Sequence, residues 1–194
     1  MIEEKINYMI DSFDMYNIVF VKTKNNYMIF IKNFNTLNRL RLKTPPMFTP
    51  FGIEKYNYKD IVNLEFHELK KNNDMYNFWS YLQQLDKFFI NIKYENFTTK
   101  LNNKIPEEII NGIKTKTYIS CIRPRDGDFN PLLRTHIKKN KNTIQSVFYD
   151  ESNTILNPNN IKSKIGNFTI ELGFLWITDT QYGITWYING GRFS

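Results

Sequence analysis

Phe168-Thr-Ile-Glu-Leu-Gly-Phe-Leu-Trp-Ile177, followed after a gap of five residues by Gly183-Ile-Thr-Trp-Tyr-Ile188, is the stretch that decides the fold. Apolar residues recur at every second position. Phe168, Ile170, Leu172, Phe174 and Trp176 do so in the first run, and Ile184, Trp186 and Ile188 in the second. A strand sends successive side chains to opposite faces. The pattern therefore predicts two strands joined as a hairpin, each with one face in a core, and it assigns both tryptophans to that core.

The same reading extends backwards. Leu132–Lys138, Thr143–Tyr149 and Lys114–Ile122 are candidate strands, and Asp60–Phe66 is another. Ile18–Lys22 and Tyr27–Lys32 flank an Asn-containing turn and predict a hairpin, largely apolar on both faces and so expected inside the fold. Residues 45–52, Pro-Pro-Met-Phe-Thr-Pro-Phe-Gly, hold three prolines and predict a rigid loop displaying Met47, Phe48 and Phe51. Residues 74–94 break the β pattern. Met75, Phe78, Trp79, Leu82, Leu85, Phe89 and Ile92 follow the helical period, with Asn72, Asn73 and Asp74 offering an N-cap. Shorter helices are expected at 2–13 and 106–111. The fold class expected is β-rich α+β, with one main amphipathic helix between groups of strands, and residues 1–194 read as a single domain.

Composition narrows the function. The 194 residues are 41% hydrophobic and 16% aromatic, enough for a sizeable core. One cysteine, Cys121, excludes an internal disulfide and a cysteine-based zinc site, and its apolar neighbours predict a buried thiol. The two histidines, His67 and His136, have no metal-ligand spacing. No Gly-rich phosphate loop and no Gly-x-Ser-x-Gly elbow occur. Asp126-Gly-Asp128 is the one paired carboxylate in the basic segment, and a turn explains it better than a nuclease metal site. No cofactor and no metal is expected. No apolar run is long enough for a membrane helix, and no apolar segment follows the first residues as in a signal peptide. The expected setting is intracellular, a host cytoplasm or viral factory, with the virion as a second location.

The net charge of +7 is concentrated. Residues 114–141 carry eight cations against two acids, and Arg39, Arg41 and Lys43 alternate on one expected strand face. Such a field suits a polyanion. Single-stranded nucleic acid needs cations for its phosphates and exposed rings for its unpaired bases. The candidate phosphate contacts are Arg39, Arg41, Lys43, Lys114, Lys116, Arg123, Arg125, Arg134 and Lys138. The candidate stacking rings are Phe48, Phe51, Tyr118 and Phe129. If the strands at 114–122 and 132–138 pair as a hairpin, with the Arg123–Asp128 turn between them, their cationic faces merge into one surface.

Pro46-Met-Phe-Thr-Pro-Phe-Gly-Ile-Glu-Lys-Tyr56 resembles the Pro-x-Met-x-x-Pro-Phe-Gly signature of a single-stranded DNA-binding protein family of nucleocytoplasmic large DNA viruses. Val62-Asn-Leu-Glu-Phe66, Leu85-Asp86, Trp176 and Tyr182-Gly-Ile-Thr-Trp186 follow in a similar order. Residues 1–35 and 124–165 have no counterpart. The resemblance marks Pro50, Phe51 and Gly52 as signature positions. It implies an oligonucleotide-binding (OB) barrel that coats single-stranded DNA during viral replication. The function expected is single-stranded DNA binding in replication or repair, without catalysis, by an elaborated barrel of that kind, with RNA as an alternative ligand and a homo-oligomer or replication proteins as partners. The competing expectation is a viral structural or scaffold protein acting through protein–protein contacts.

Overall fold

The computed structural model describes residues 17–33, 36–94, 105–141 and 143–194. The helix expected at 2–13 lies outside the described residues.

Five strands close a barrel: Met47–Thr49, Lys59–Glu65, Leu132–Ile137, Lys164–Ile177 and Gln181–Phe193, numbered here first to fifth. The first pairs with the second, the second with the third, the third with the fifth, the fifth with the fourth, and the fourth returns to the first. Only the third–fifth pairing is parallel; the others are antiparallel. This closed Greek-key order is that of an OB-like barrel. Further strands extend it. Ile18–Lys22 pairs with Tyr27–Asn33, which joins the fourth strand at Met28. Arg41–Lys43 lies against Thr169–Glu171. Ile53–Tyr56 folds back on the second strand.

Alternation builds the interior. Val62, Leu64, Leu133, Thr135, Ile170, Leu172, Ile184, Trp186 and Ile188 are buried. The helix Asn73–Asn91 lies in the connection between the second and third strands. Asn72 caps it, its side chain accepting from the Met75 N–H at 3.1 Å. Met75, Phe78, Leu82, Leu85 and Phe89 are its buried stripe. It reaches the strands through Phe78 against Phe66, ring centroids 6.3 Å apart, and through the Tyr182 hydroxyl, which donates to the Phe89 carbonyl at 3.1 Å. A second, short helix spans Glu107–Ile113.

Four expectations are corrected. Residues 47–49 are a strand inside the barrel wall, not a displayed loop, and Met47 and Thr49 are fully buried. Pro45 and Pro46 precede that strand and Pro50 follows it, so none removes one of its ladder hydrogen bonds. The N-terminal hairpin is at an edge of the sheet rather than inside, with Val21 and Lys22 exposed. The segments 114–122 and 132–138 do not pair along their length. Thr117–Ile119 pairs in parallel with the start of the fifth strand, and the antiparallel contact with the third is confined to Cys121–Arg123. Finally, the fourth strand shifts register between Leu172 and Leu175. That bulge puts Leu175 in the core in place of Phe174, and it leaves Trp176 half-buried outside the core that holds Trp186.

Candidate nucleic-acid interface

The outer face of the second and third strands carries the side chains opposite to the core set: Ile61, Asn63 and Glu65 on one, Leu132, Arg134 and His136 on the other. In barrels of this strand order, that face and the loops joining strands one to two and four to five take oligonucleotides or oligosaccharides. Cross-strand pairing carries one row across the whole sheet: Glu54, Ile61, His136, Tyr187, Glu171 and Arg41 are successive neighbours.

At the His136 end lies a cleft of about 430 Å³. Tyr58, Lys59, Lys138, Lys139, Arg39, Phe174 and Tyr187 are among its walls. The bulge at Gly173 shapes it. A Cβ built at Gly173 stands 2.5 Å from the Tyr187 ring, so only glycine lets that ring lie down on the sheet. Phe174, turned outward by the same bulge, meets Tyr187 edge to face with centroids 6.1 Å apart. Arg39 lies on the other side, its guanidinium 5.8 Å from the Phe174 centroid and 4.3 Å from that of Phe30. It is held there by donation to the Gly173 carbonyl at 3.0 Å and the Ile29 carbonyl at 3.2 Å.

The hairpin arm between the first two strands supplies the near wall. Tyr56 pairs with Lys59 across Asn57 and Tyr58, both at positive φ of 46° and 63°. Positive φ at both central residues is the type I′ geometry that matches strand twist. It leaves the Tyr58 side chain wholly exposed at the lip of the cleft. Tyr56 covers Arg134, whose guanidinium carbon sits 3.9 Å from the ring centroid. The buried Arg134 Nε finds no hydrogen-bond acceptor among the described residues.

Charge is distributed unevenly. Burial pushes the Glu171 carboxyl up, but hydrogen bonds from Lys138, Arg41 and Asn189 outweigh it and hold the group below the ordinary carboxylate range. Asp60 is also buried, and bonds from Lys139 and Lys55 outweigh burial in the same direction. His136 is lowered to about 4, by burial first and then by the charges of Lys59 and Arg134. It is therefore neutral at pH 7 and adds no charge to the face.

Some of the sequence-predicted residues meet here. Arg39, Arg41 and Lys138 surround Glu171, and Arg134 sits at mid-face. At the far end of the same two strands, Arg125 donates to Glu65 at 2.8 Å and lies 4.9 Å from the ring of Phe129, which is 69% exposed. Phe48, beside Glu65, is half-buried against His67. Arg123 faces Leu132 with its Nε buried. Phe51 is exposed in the loop after the first strand, where Gly52 takes a φ of +69°. Lys43 lies one row past Arg41, opposite Thr169. Lys114 and Lys116 are not among the cleft residues. Lys116 bonds the Thr178 and Asp179 carbonyls at the fourth–fifth turn, about 20 Å along the fifth strand from Tyr187 at about 3.3 Å per residue. Tyr118 is not an exposed stacking ring. Its hydroxyl donates to Asp86 at 2.5 Å and its ring packs edge to face on Tyr182, so the helix holds it. Tyr56, Tyr58, Phe174 and Tyr187 were not among the sequence candidates.

No protein-family model matches the chain. No curated protein matches its sequence. Among solved structures, it is similar to the single-stranded DNA-binding protein from bacteriophage Enc34, at 12% identity over 91% of this chain and 88% of that one, with a TM-score of 0.46. The same phage protein in complex with ssDNA gives 10% identity, coverage of 91% and 94%, and a TM-score of 0.47. The gp2.5 single-stranded DNA-binding protein encoded by bacteriophage T7 gives 8% identity, coverage of 79% and 90%, and a TM-score of 0.44. At these values the similarity is a partial one of chain path.

Among the described residues no helix is long and apolar enough to cross a membrane, and no three potential metal ligands stand together. Asp126 and Asp128 are exposed on a turn around Gly127, at a φ of +69°. Cys121 is half-buried rather than fully buried, and desolvation is the largest of the causes that push its thiol up to about 12.

Proposed function

We propose that this protein binds single-stranded DNA, without catalysing a reaction, along the outer face of its second, third and fifth barrel strands. One observation carries the reading: cations and aromatic rings are paired repeatedly over this face. Arg39 lies with Phe30 and Phe174, Arg134 with Tyr56, Arg125 with Phe129, and Lys138 lies 5.7 Å from the Tyr187 centroid. A strand with unpaired bases uses both members of such pairs, the ring for stacking and the cation for phosphate. Duplex DNA hides its base faces and uses only the cations.

The resemblance at residues 46–56 supports placing the activity in viral DNA replication or repair. Fluorescence anisotropy with a labelled single-stranded oligothymidine, at several salt concentrations and against a duplex and an RNA of equal length, tests the proposal. The expected result is tighter binding of the single strand, with log affinity falling by about 0.7 per phosphate contact for each unit of log salt. Equal affinity for duplex and single strand reduces the face to a general cation patch. No binding at low salt overturns the proposal and favours the scaffold role.

A further inference from the structure

The cations of this face do not stand alone. Two carboxylates sit beneath them. Glu171, 4% exposed, accepts from Lys138 at 2.6 Å, Arg41 at 2.9 Å and Asn189 at 3.2 Å. Asp60, 7% exposed, is ion-paired to both Lys55 and Lys139. Both carboxylates and the adjacent lysines 138 and 139 border the same cleft. The two lysines, neighbours in sequence, diverge to opposite acids.

The burial is asymmetric. Side chains of the acids are 4–5% exposed, whereas Arg41, Lys55, Lys138 and Lys139 keep 32–71% of theirs in solvent. Each acid thus lies under its cations rather than beside them. An acid in that place has two effects. It fixes its cations, Lys138 and Lys139 at the cleft among them, and it neutralises part of the field that a phosphate would meet. Binding a phosphate brings like charge toward a desolvated carboxylate, which is costly at an interface.

We propose that Glu171 and Asp60 are internal counter-charges that stand in for phosphate in the free protein and hold down its affinity for single-stranded DNA. The inference rests on the binding proposed above. Nucleic acid then competes with two built-in carboxylates for four cations, so release of the strand is assisted by groups already in place. The cleft walls are left to the rings, and the phosphates to the rim.

The test is Glu171→Gln and, separately, Asp60→Asn, assayed by anisotropy with oligothymidine across a salt series beside the wild-type protein. Each amide keeps an acceptor oxygen and nearly the same shape. The charges left behind are the solvent-exposed ones, so neither change strands a buried ion. Circular dichroism and a urea midpoint establish that each variant is folded. The expected result is tighter binding, by roughly tenfold at low salt for each variant, and a salt dependence steeper by about 0.7 for each cation freed to take a phosphate. Weaker binding with a shallower slope in both folded variants overturns the inference and makes the acids anchors only. If one variant fails to fold, the other decides the matter alone. If wild-type protein binds no single strand, the binding proposal itself fails. If wild type binds and neither variant binds more tightly, only the counter-charge role fails.

Discussion

The Arg134 guanidinium lies 3.9 Å above the ring of Tyr56 and so ties the third barrel strand to the hairpin arm between the first two. A partly buried pair of this kind is worth about 0.5–2 kcal/mol to the fold. Under the proposed binding its two members do different work on the strand, and this separates them experimentally. Arg134→Ala is expected to weaken oligothymidine binding and make its salt slope shallower by about 0.7, one phosphate contact. Tyr56→Ala is expected to weaken binding with the slope unchanged, because the charge remains. Equal slopes for the two variants would remove the division of labour.

Tyr58 and Tyr187 are the rings best placed to stack. Tyr58 is fully exposed at positive φ, so Tyr58→Asn removes the ring and keeps a residue type that tolerates that backbone. Its effect on stability should stay within about 0.5 kcal/mol, as for an exposed site. Binding should weaken by about 1–3 kcal/mol if the ring stacks on one base. A titration in which Tyr58→Asn and Tyr187→Leu both bind like wild type would place the bases elsewhere.

Gly173→Ala probes the same site through the backbone. The added methyl meets the Tyr187 ring at 2.5 Å and the Thr185 carbonyl at 3.2 Å. Overpacking of this sort costs about 1–3 kcal/mol. The denaturation midpoint should fall, and affinity should fall with it because Tyr187 must lift and disturb Phe174. A variant with lowered stability and unchanged affinity would show that the seated position of Tyr187 is not used in binding.

Acid should destabilise the protein in a definable window. His136 is lowered from 6.5 to about 4 by burial, aided by Lys59 and Arg134. Between those values the unfolded chain holds the proton and the folded chain does not, so stability falls as pH drops from 6.5 toward 4. Glu171, whose folded value is lowered, adds a further loss as pH falls through that value. Urea midpoints of wild type and His136→Gln at pH 7 and pH 5 measure the histidine's share. The variant should lose less between the two. Parallel losses would assign the acid sensitivity to other groups. At pH 7 the salt slope of binding should be the same in both proteins, since neutral His136 releases no counterion.

Much of the architecture was legible because period two survives translation into structure. Ile184, Trp186 and Ile188 were assigned to one face and are buried there. The helix expected over 74–94 is Asn73–Asn91 with the N-cap at Asn72. Pairing partners were not legible. Which strands lie together is decided by contacts distant in sequence, and Thr117–Ile119 went to the fifth barrel strand rather than the third for that reason. The first barrel strand was hidden by prolines that flank it without entering it. Phe174 was misassigned because one bulge reverses every face after it, and nothing local at Leu172–Leu175 except Gly173 marks the shift.

At the site, the cations were visible as a charge cluster, and Arg39, Arg41, Arg134 and Lys138 do gather on one face. Of the expected rings, Phe129 is exposed beside Arg125 and Phe51 is exposed in its loop. Tyr118 stood in a cationic strand but turned to Asp86. Tyr187 was overlooked among core residues, although the run Thr185, Tyr187, Asn189 alternates with the buried set and so belongs outside. Tyr56-Asn-Tyr58-Lys59 carried a usable signal, since an Asn between strand-forming residues favours a type I′ hairpin tip. The buried acids could not be seen, because Glu171 and Asp60 meet Lys138 and Lys139 only once the barrel closes.

The most direct test of the central claim is a backbone amide NMR titration of the isotope-labelled protein with a single-stranded oligothymidine. The account expects the largest shifts at Tyr56, Tyr58, Arg134, His136, Phe174 and Tyr187, with little change around Lys114 and Lys116. Absence of shifts at these face residues at saturating oligonucleotide would contradict it.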